Sequence, residues 1–310
     1  MLGAVALASL AVVALAGGSC SGPVGRAEVL RREKLGEPLE RLKGIARPLG
    51  DPAPGDWLRS HPERGQTLEE FMAMRSVPLL AHHDTIDVVP IGAFTRAQWH
   101  VIESTADYLE RFYGSPIRLL ATVPLSAIPD SAVRFREDLG WSQLSTHYVL
   151  VRLLPGHRDP SAYATIALTS VDLYPQPSWN FVFGQASPAN CSGVWSMFRF
   201  GDPGESTAAE RACLLRTIKT ASHEIGHMLP IHHCIAYECV MNGSNNLGEL
   251  DRRPTDLCPH CLSKLMRCTR TDPVRRAQRL LEFHAAHGFR KEEAANRRTL
   301  SLLERRPRTK

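Results

Sequence analysis

Between His223 and Cys261 the chain reads HEIGHMLPIHHCIAYECVMNGSNNLGELDRRPTDLCPHC, and two metal-ligand patterns meet in it at adjacent residues. The first is His223, Glu224, His227 and His233; the second is Cys234, Cys239, Cys258 and Cys261. If both hold metal, His233 serves one ion and its neighbour Cys234 another. A helix carrying His223 and His227 must then end, and the chain must turn back before His233. The remainder of the sequence reads as scaffold, substrate shelf or targeting signal for this stretch.

His223 and His227 are four apart, so on a helix they share one face a turn apart. Two imidazoles so placed can hold one Zn²⁺ at about 2.0–2.1 Å. Glu224 lies beside them and can take a proton from a water that such an ion acidifies to a pKa of about 7. Lewis acid, acidified water and general base are the minimal apparatus for adding water to a peptide carbonyl. His233 can complete the ligand set only from beyond the helix, and His232 reads as an ordinary polar residue of the turn. Cys234-x4-Cys239 with Cys258-x2-Cys261 has the spacing of a closed, structural zinc site. The alternative for these four is a disulfide pair.

The other cysteines, Cys20, Cys191, Cys213 and Cys268, have no evident partner. Of the 310 residues 43% are hydrophobic and 22% charged, which is enough apolar material to bury a sizeable core. The net charge of +5 is small for this length, and no basic stripe of the kind that binds nucleic acid is present. Arg252, Arg253 and Lys264 are too few beside the cysteines to make a nucleic-acid zinc module. Leu2–Ala16 is an apolar run too short for a comfortable membrane span, with Ala14-Leu15-Ala16 as a cleavage site. Residues 1–20 are therefore expected to be a signal peptide or lipoprotein signal, with a lipid anchor at Cys20 as an option. The protein is expected to be secreted or membrane-anchored, or cytoplasmic if this start is not a working signal.

Residues 21–80 form a Pro-rich arm with one short helix expected from Thr67 to Met74, capped by Thr67. A compact domain begins near Thr85, and we take 81–285 as its extent. Strands are expected at Ile86–Ile91, Ile117–Val123, Ala164–Val171 and Trp179–Gln185. A helix should open at Thr95 with Gln98 closing a capping box and end at Gly114; its apolar face is Trp99, Ile102, Thr105, Ala106, Leu109 and Phe112. Further helices are expected at Thr146–Leu154, at Thr207–Met228 with Ala212, Leu215, Ile218 and Ala221 on the buried side, after Cys261 to Met266, and after Pro273. Residues 286–310 read as a basic helix and tail, solvated or disordered. Alternating strands and helices argue for a sheet with helices packed on it.

These residues resemble the archaemetzincin (archaelysin) family of metzincin metallopeptidases, whose pattern is H-E-x-x-H-x-x-G-x-x-H-C-x4-C-x-M followed by C-x-x-C. Here it is carried by His223, Glu224, His227, His233, Cys234, Cys239, Met241, Cys258 and Cys261. Ser170–Pro175, Ser178–Ala186 and Gly65-Gln66-Thr67 extend the likeness upstream, so that it spans residues 55 to 285. The resemblance implies an α/β (α+β) metzincin-like fold: a twisted mixed sheet, a long active-site helix, and a small irregular C-terminal subdomain with a four-cysteine zinc. It implies two Zn²⁺ per chain, one catalytic and one structural, a peptide or protein substrate, and Met241 packed beneath the catalytic zinc without ligating it. The strand near Trp179–Gln185 would edge the cleft, where a peptide can add by strand pairing. A monomer is expected. One departure stands out: the family glycine is Pro230, whose fixed φ and missing N–H cannot copy a positive-φ turn. The readings are therefore an active zinc peptidase with Glu224 as general base, or a zinc-binding homologue with weak or no activity.

Overall fold

The computed structural model describes residues 40–74, 84–269 and 271–305. The signal-like segment 1–20, with Cys20, lies outside the described residues. In the arm, α1 (Trp57–Ser60) and α2 (Leu68–Ala73) are short helices. Thr67 caps α2 in a full capping box with Glu70, which places Phe71 in the core with no exposure.

Strand β1 (Thr85–Ile91) is buried along its whole length, as befits a strand covered on both faces of a largely parallel sheet. Helix α3 (Arg96–Tyr113) follows, opened by the Thr95–Gln98 capping box and closed by Gly114 in the left-handed region at φ 66°. Its buried face carries Val101, Tyr108 and Tyr113 as well as Ile102, Thr105, Leu109 and Phe112; Trp99 and Ala106 are only half-buried. The next strand, β2, is confined to Ile117–Leu119, and Val123 rejoins the sheet only through an isolated bridge to Ile91. A small second sheet is built from β3 (Val133–Arg136), β4 (Trp141–Ser145) and β6 (Asp172–Tyr174). After β4, the helix begun at Thr146–Tyr148 loosens into a π-turn over Val149–Leu153 and a tight 3-10 turn over Leu154–His157. Pro155 has no N–H to give to a carbonyl one turn back, so a regular helix cannot continue.

The main sheet runs β2-β1-β5-β8-β7, with β5 at Ala162–Thr169, β7 at Gly184–Ser187 and β8 at Ser192–Ser196. Only β7 is antiparallel to its neighbour, and it forms one edge. The strand expected at Trp179–Gln185 thus starts later, at Gly184. Side chains take the carbonyls upstream of it: Arg134 donates to those of Pro177, Trp179 and Asn180, and Gln143 to that of Asn180. Arg134 also donates to the Gln143 side chain, and Gln143 in turn donates to Asp172, a fully buried carboxylate that also accepts from Nε and Nη2 of Arg199.

Ser206 caps α4 (Thr207–Met228), the long helix expected over those residues. Ile218 and Ala221 of the expected stripe are buried, and the departure is confined to its start. Cys213, Leu214 and Ile218 are buried, whereas Ala212 and Leu215 are half-covered. From Thr217 onward the helix is enclosed on nearly all sides, because β7 and β8 lie against one flank and residues 239–251 against the other. Helices α5 (Leu247–Arg252), α6 (Pro259–Thr269), α7 (Pro273–Ala286) and α8 (Arg290–Leu303) complete the chain. The helix expected in the C-terminal stretch is α8; it packs on α7 and buries only Asn296 and Leu303. None of the described helices is long and apolar enough to cross a membrane.

Candidate functional site

Helix periodicity puts His223 and His227 on one face near the end of α4, and the turn after it returns His233 to them. Nε2 of His227 lies 3.0 Å from Nε2 of His223, which lies 3.2 Å from Nε2 of His233. Nitrogens on a tetrahedral zinc at about 2.0–2.1 Å would be about 3.3 Å apart, so the spacing fits that ion. The far side of each ring faces an oxygen. Nδ1 of His223 meets the Val240 carbonyl at 2.9 Å, Nδ1 of His227 the Ile231 carbonyl at 2.8 Å, and Nδ1 of His233 the Glu63 carboxylate at 2.8 and 3.0 Å. Each Nδ1 therefore carries the proton, and each Nε2 lone pair faces the common centre. Burial, with His233 next to it, pulls His223 down to about 3, and burial pulls His227 well below the ordinary range, so both stay neutral and able to ligate.

The turn is closed without a left-handed residue. Among the described residues, the only non-glycine at positive φ is Cys191. Leu229 N–H bonds back to Ile225 and Gly226, and Ile231 N–H bonds to the Gly226 carbonyl at 3.1 Å. Pro230 therefore has no hydrogen bond to lose, and its carbonyl accepts from Gln66. Met241 is fully buried against Gly226, which lies between His223 and His227 in the sequence: a Cβ on that glycine would come 2.5 Å from the Met241 sulfur. Only a glycine between the two helical histidines lets Met241 approach so closely.

Glu224 is buried on α4 facing the edge strand; a Cβ on Gly184 would lie 3.1 Å from its Oε1. Burial pushes this carboxyl up to about 8, and a dication at the three nitrogens would draw it back down by favouring the anion.

The four cysteines Cys234, Cys239, Cys258 and Cys261 bring their sulfurs within 4.8 Å of one another. Cys234 and Cys258 sulfurs stand 3.7 Å apart. That is close to the edge of a tetrahedron with Zn–S of about 2.3 Å, and much longer than a disulfide bond of about 2.05 Å. None of these four is in a disulfide, nor are Cys191 and Cys213. Hydrogen bonds from Cys239, Cys258 and Cys261 hold the Cys234 thiol well below its ordinary value, while burial pushes Cys239 up. A cation is what lets four buried thiolates coexist. Cys234 N–H bonds to the Met241 carbonyl at 2.8 Å, which couples this cluster to the segment packed on Gly226. His232 is exposed and belongs to neither cluster.

Sequence reasoning did not find Glu63, Trp57 or Gln66 as parts of the site. Trp57 Nε1 donates to Glu63 at 2.6 Å, and its ring meets His233 edge-on at 5.5 Å. The one available signal was that Gly65-Gln66-Thr67, next to Glu63, belongs to the family likeness.

Comparison with known proteins points the same way. Residues 159–267 match the sequence profile of peptidase family M54. The chain is 32% identical over 281 residues to archaemetzincin-2 of Rattus norvegicus, covering 80% of this chain and 77% of that protein. It is 31% identical over 190 residues to the archaemetzincin of Pyrococcus furiosus, covering 59% of this chain and 92% of the other. The crystal structure of archaemetzincin from Methanopyrus kandleri superposes with a TM-score of 0.50 at 26% identity, over 62% of this chain and 98% of that one.

Proposed function

The chain belongs to the archaemetzincins, the zinc metallopeptidases of family M54, and we propose that it cleaves peptide bonds at His223, His227 and His233 with Glu224 as general base. The observation that carries this reading is the convergence of three Nε2 atoms whose Nδ1 partners are already satisfied. Zinc, when bound there, supplies the Lewis acid that polarises the scissile carbonyl and acidifies water. The Glu224 carboxylate takes a proton from the attacking water and passes it to the departing amine nitrogen. The edge strand β7 lies beside Glu224 with one side unpaired in the sheet, and an extended peptide can add to it there. Met241 supports the site from below as packing.

In this reading there are two zinc ions per chain, the second held by Cys234, Cys239, Cys258 and Cys261 as a closed structural site. Its place beside the turn braces the segment that presents His233. The alternative, a zinc binder with little activity, rested on Pro230. The turn closes without positive φ, so the active reading is the better supported. We further propose a monomer that is exported by its apolar start and loaded with zinc before its thiols oxidise.

Replacing Glu224 with Gln tests the assignment. Peptide hydrolysis should fall by about 10²–10⁴-fold, the usual worth of a general base, with the zinc content unchanged. A variant that cleaves as fast as the parent overturns it.

A further inference from the structure

His223 and His227 are oriented by main-chain carbonyls, those of Val240 and Ile231. His233 differs: its Nδ1 faces both oxygens of a carboxylate, Glu63, at 2.8 and 3.0 Å. Glu63 lies 170 residues earlier, in the arm. Its place is fixed independently of His233. Trp57 Nε1 donates to Oε1 at 2.6 Å. The Trp57 main-chain N–H is held by Glu249 at 3.0 and 3.2 Å. The Trp57 ring seats on Gly243, where a Cβ would come 2.4 Å from its Cδ1. Both Glu63 oxygens thus face N–H donors, the imidazole of His233 and the indole of Trp57, the setting in which a carboxylate acts as an acceptor.

We infer that Glu63 is a positioning residue for the catalytic zinc, acting through His233, and that the N-terminal arm is thereby a structural part of the metal site. The inference rests on the reading that the three histidines ligate zinc. Three neutral imidazoles leave a loaded site with the full charge of a dication. Glu63 and Glu224 each supply one negative charge, and Glu63 does so without occupying a coordination position. A carboxylate behind a ligating imidazole makes it a stronger donor and fixes its ring, and losing such a partner typically costs about 10–100-fold in metal affinity. Main-chain carbonyls behind the other two rings provide orientation without charge, so His233 carries the electrostatic share.

The test is competition for zinc between the full-length protein and a chromophoric chelator, with cobalt(II) substituted in parallel to read the ligand field. Parent, Glu63→Ala, Glu63→Gln and a His227→Ala control are compared. We expect Glu63→Ala to hold one zinc about 10–100-fold more weakly and to shift the cobalt band, while the second zinc is kept. Glu63→Gln keeps an acceptor for Nδ1 and for Trp57 but no charge, and should fall between Ala and the parent; it also carries the test if the alanine variant fails to fold. Parental affinity and an unchanged cobalt band in both variants overturn the inference when His227→Ala loses zinc. If His227→Ala binds both zinc ions as the parent does, the three-histidine reading falls, and this inference with it.

Discussion

The side-chain amide of Gln66 donates to the carbonyl of Pro230 across 3.2 Å, joining the N-terminal arm to the turn that brings His233 back to the other two histidines. Gln66 is held in turn by Lys264, whose ammonium donates to its main-chain and side-chain oxygens at 2.7 and 3.0 Å. The substitution that set this chain apart from its family pattern thus sits in a turn closed by other means.

It follows that restoring glycine at 230 gains nothing for catalysis. Pro230→Gly should leave zinc content unchanged and alter kcat/KM by no more than a few-fold. It should lower stability by about 0.4–1 kcal/mol, because the unfolded chain recovers freedom that proline denies it. Peptide hydrolysis and thermal unfolding of the variant read both effects. A large gain in activity would mean that the native turn distorts the site.

Gly184 should be intolerant of even one added methyl. A Cβ there would stand 3.1 Å from Glu224 Oε1, from Trp195 Cβ and from the Val194 carbonyl, two of which belong to the neighbouring strand and cannot easily yield. Glu224 is the group free to move, and for the general base proposed above a displacement of a fraction of an ångström is costly. Gly184→Ala should lower kcat/KM by roughly tenfold or more with both zinc ions retained. Unchanged turnover would show that Glu224 does not act from this position.

Lys219 gives a pH signature. Its ammonium is buried beneath α5, donating to the carbonyls of Leu250 and Asp251 at 3.1 and 3.2 Å, and burial draws its pKa from 10.5 to about 8. Between those values the unfolded chain holds the proton and the native chain does not, so stability from this residue rises with pH across the window and is lowest below about 8. The unfolding free energy of the parent minus that of Lys219→Met should climb by on the order of 3 kcal/mol from pH 8 to 10.5. The difference cancels the tyrosines that also titrate there, and a flat difference would contradict the burial argument.

Local signals in the sequence carried much of this fold. Thr95 with Gln98 marked the start of α3 and Gly114 its end, while the spacing of His223 and His227 placed them on one helical face. The paired cysteines were legible for the same reason, since their spacing is short. What was missed acts over distance. Glu63, Trp57 and Gln66 meet their partners across more than 160 residues, and no periodicity records such contacts. The misplaced strand at Trp179–Gln185 has a similar origin: Arg134 and Gln143, from the small sheet, take the carbonyls that a strand would have offered to a neighbour. From Thr217 onward α4 is buried nearly all round, which amphipathic periodicity does not describe.

In the proposed function, adjacent residues, His233 and Cys234, serve two different zinc ions. Counting zinc on purified full-length protein tests it most directly, with the same count on a His223→Ala/His227→Ala double variant. Two zinc ions per chain are expected in the parent and one in the variant. A single zinc in the parent, or two still bound in the variant, would contradict it.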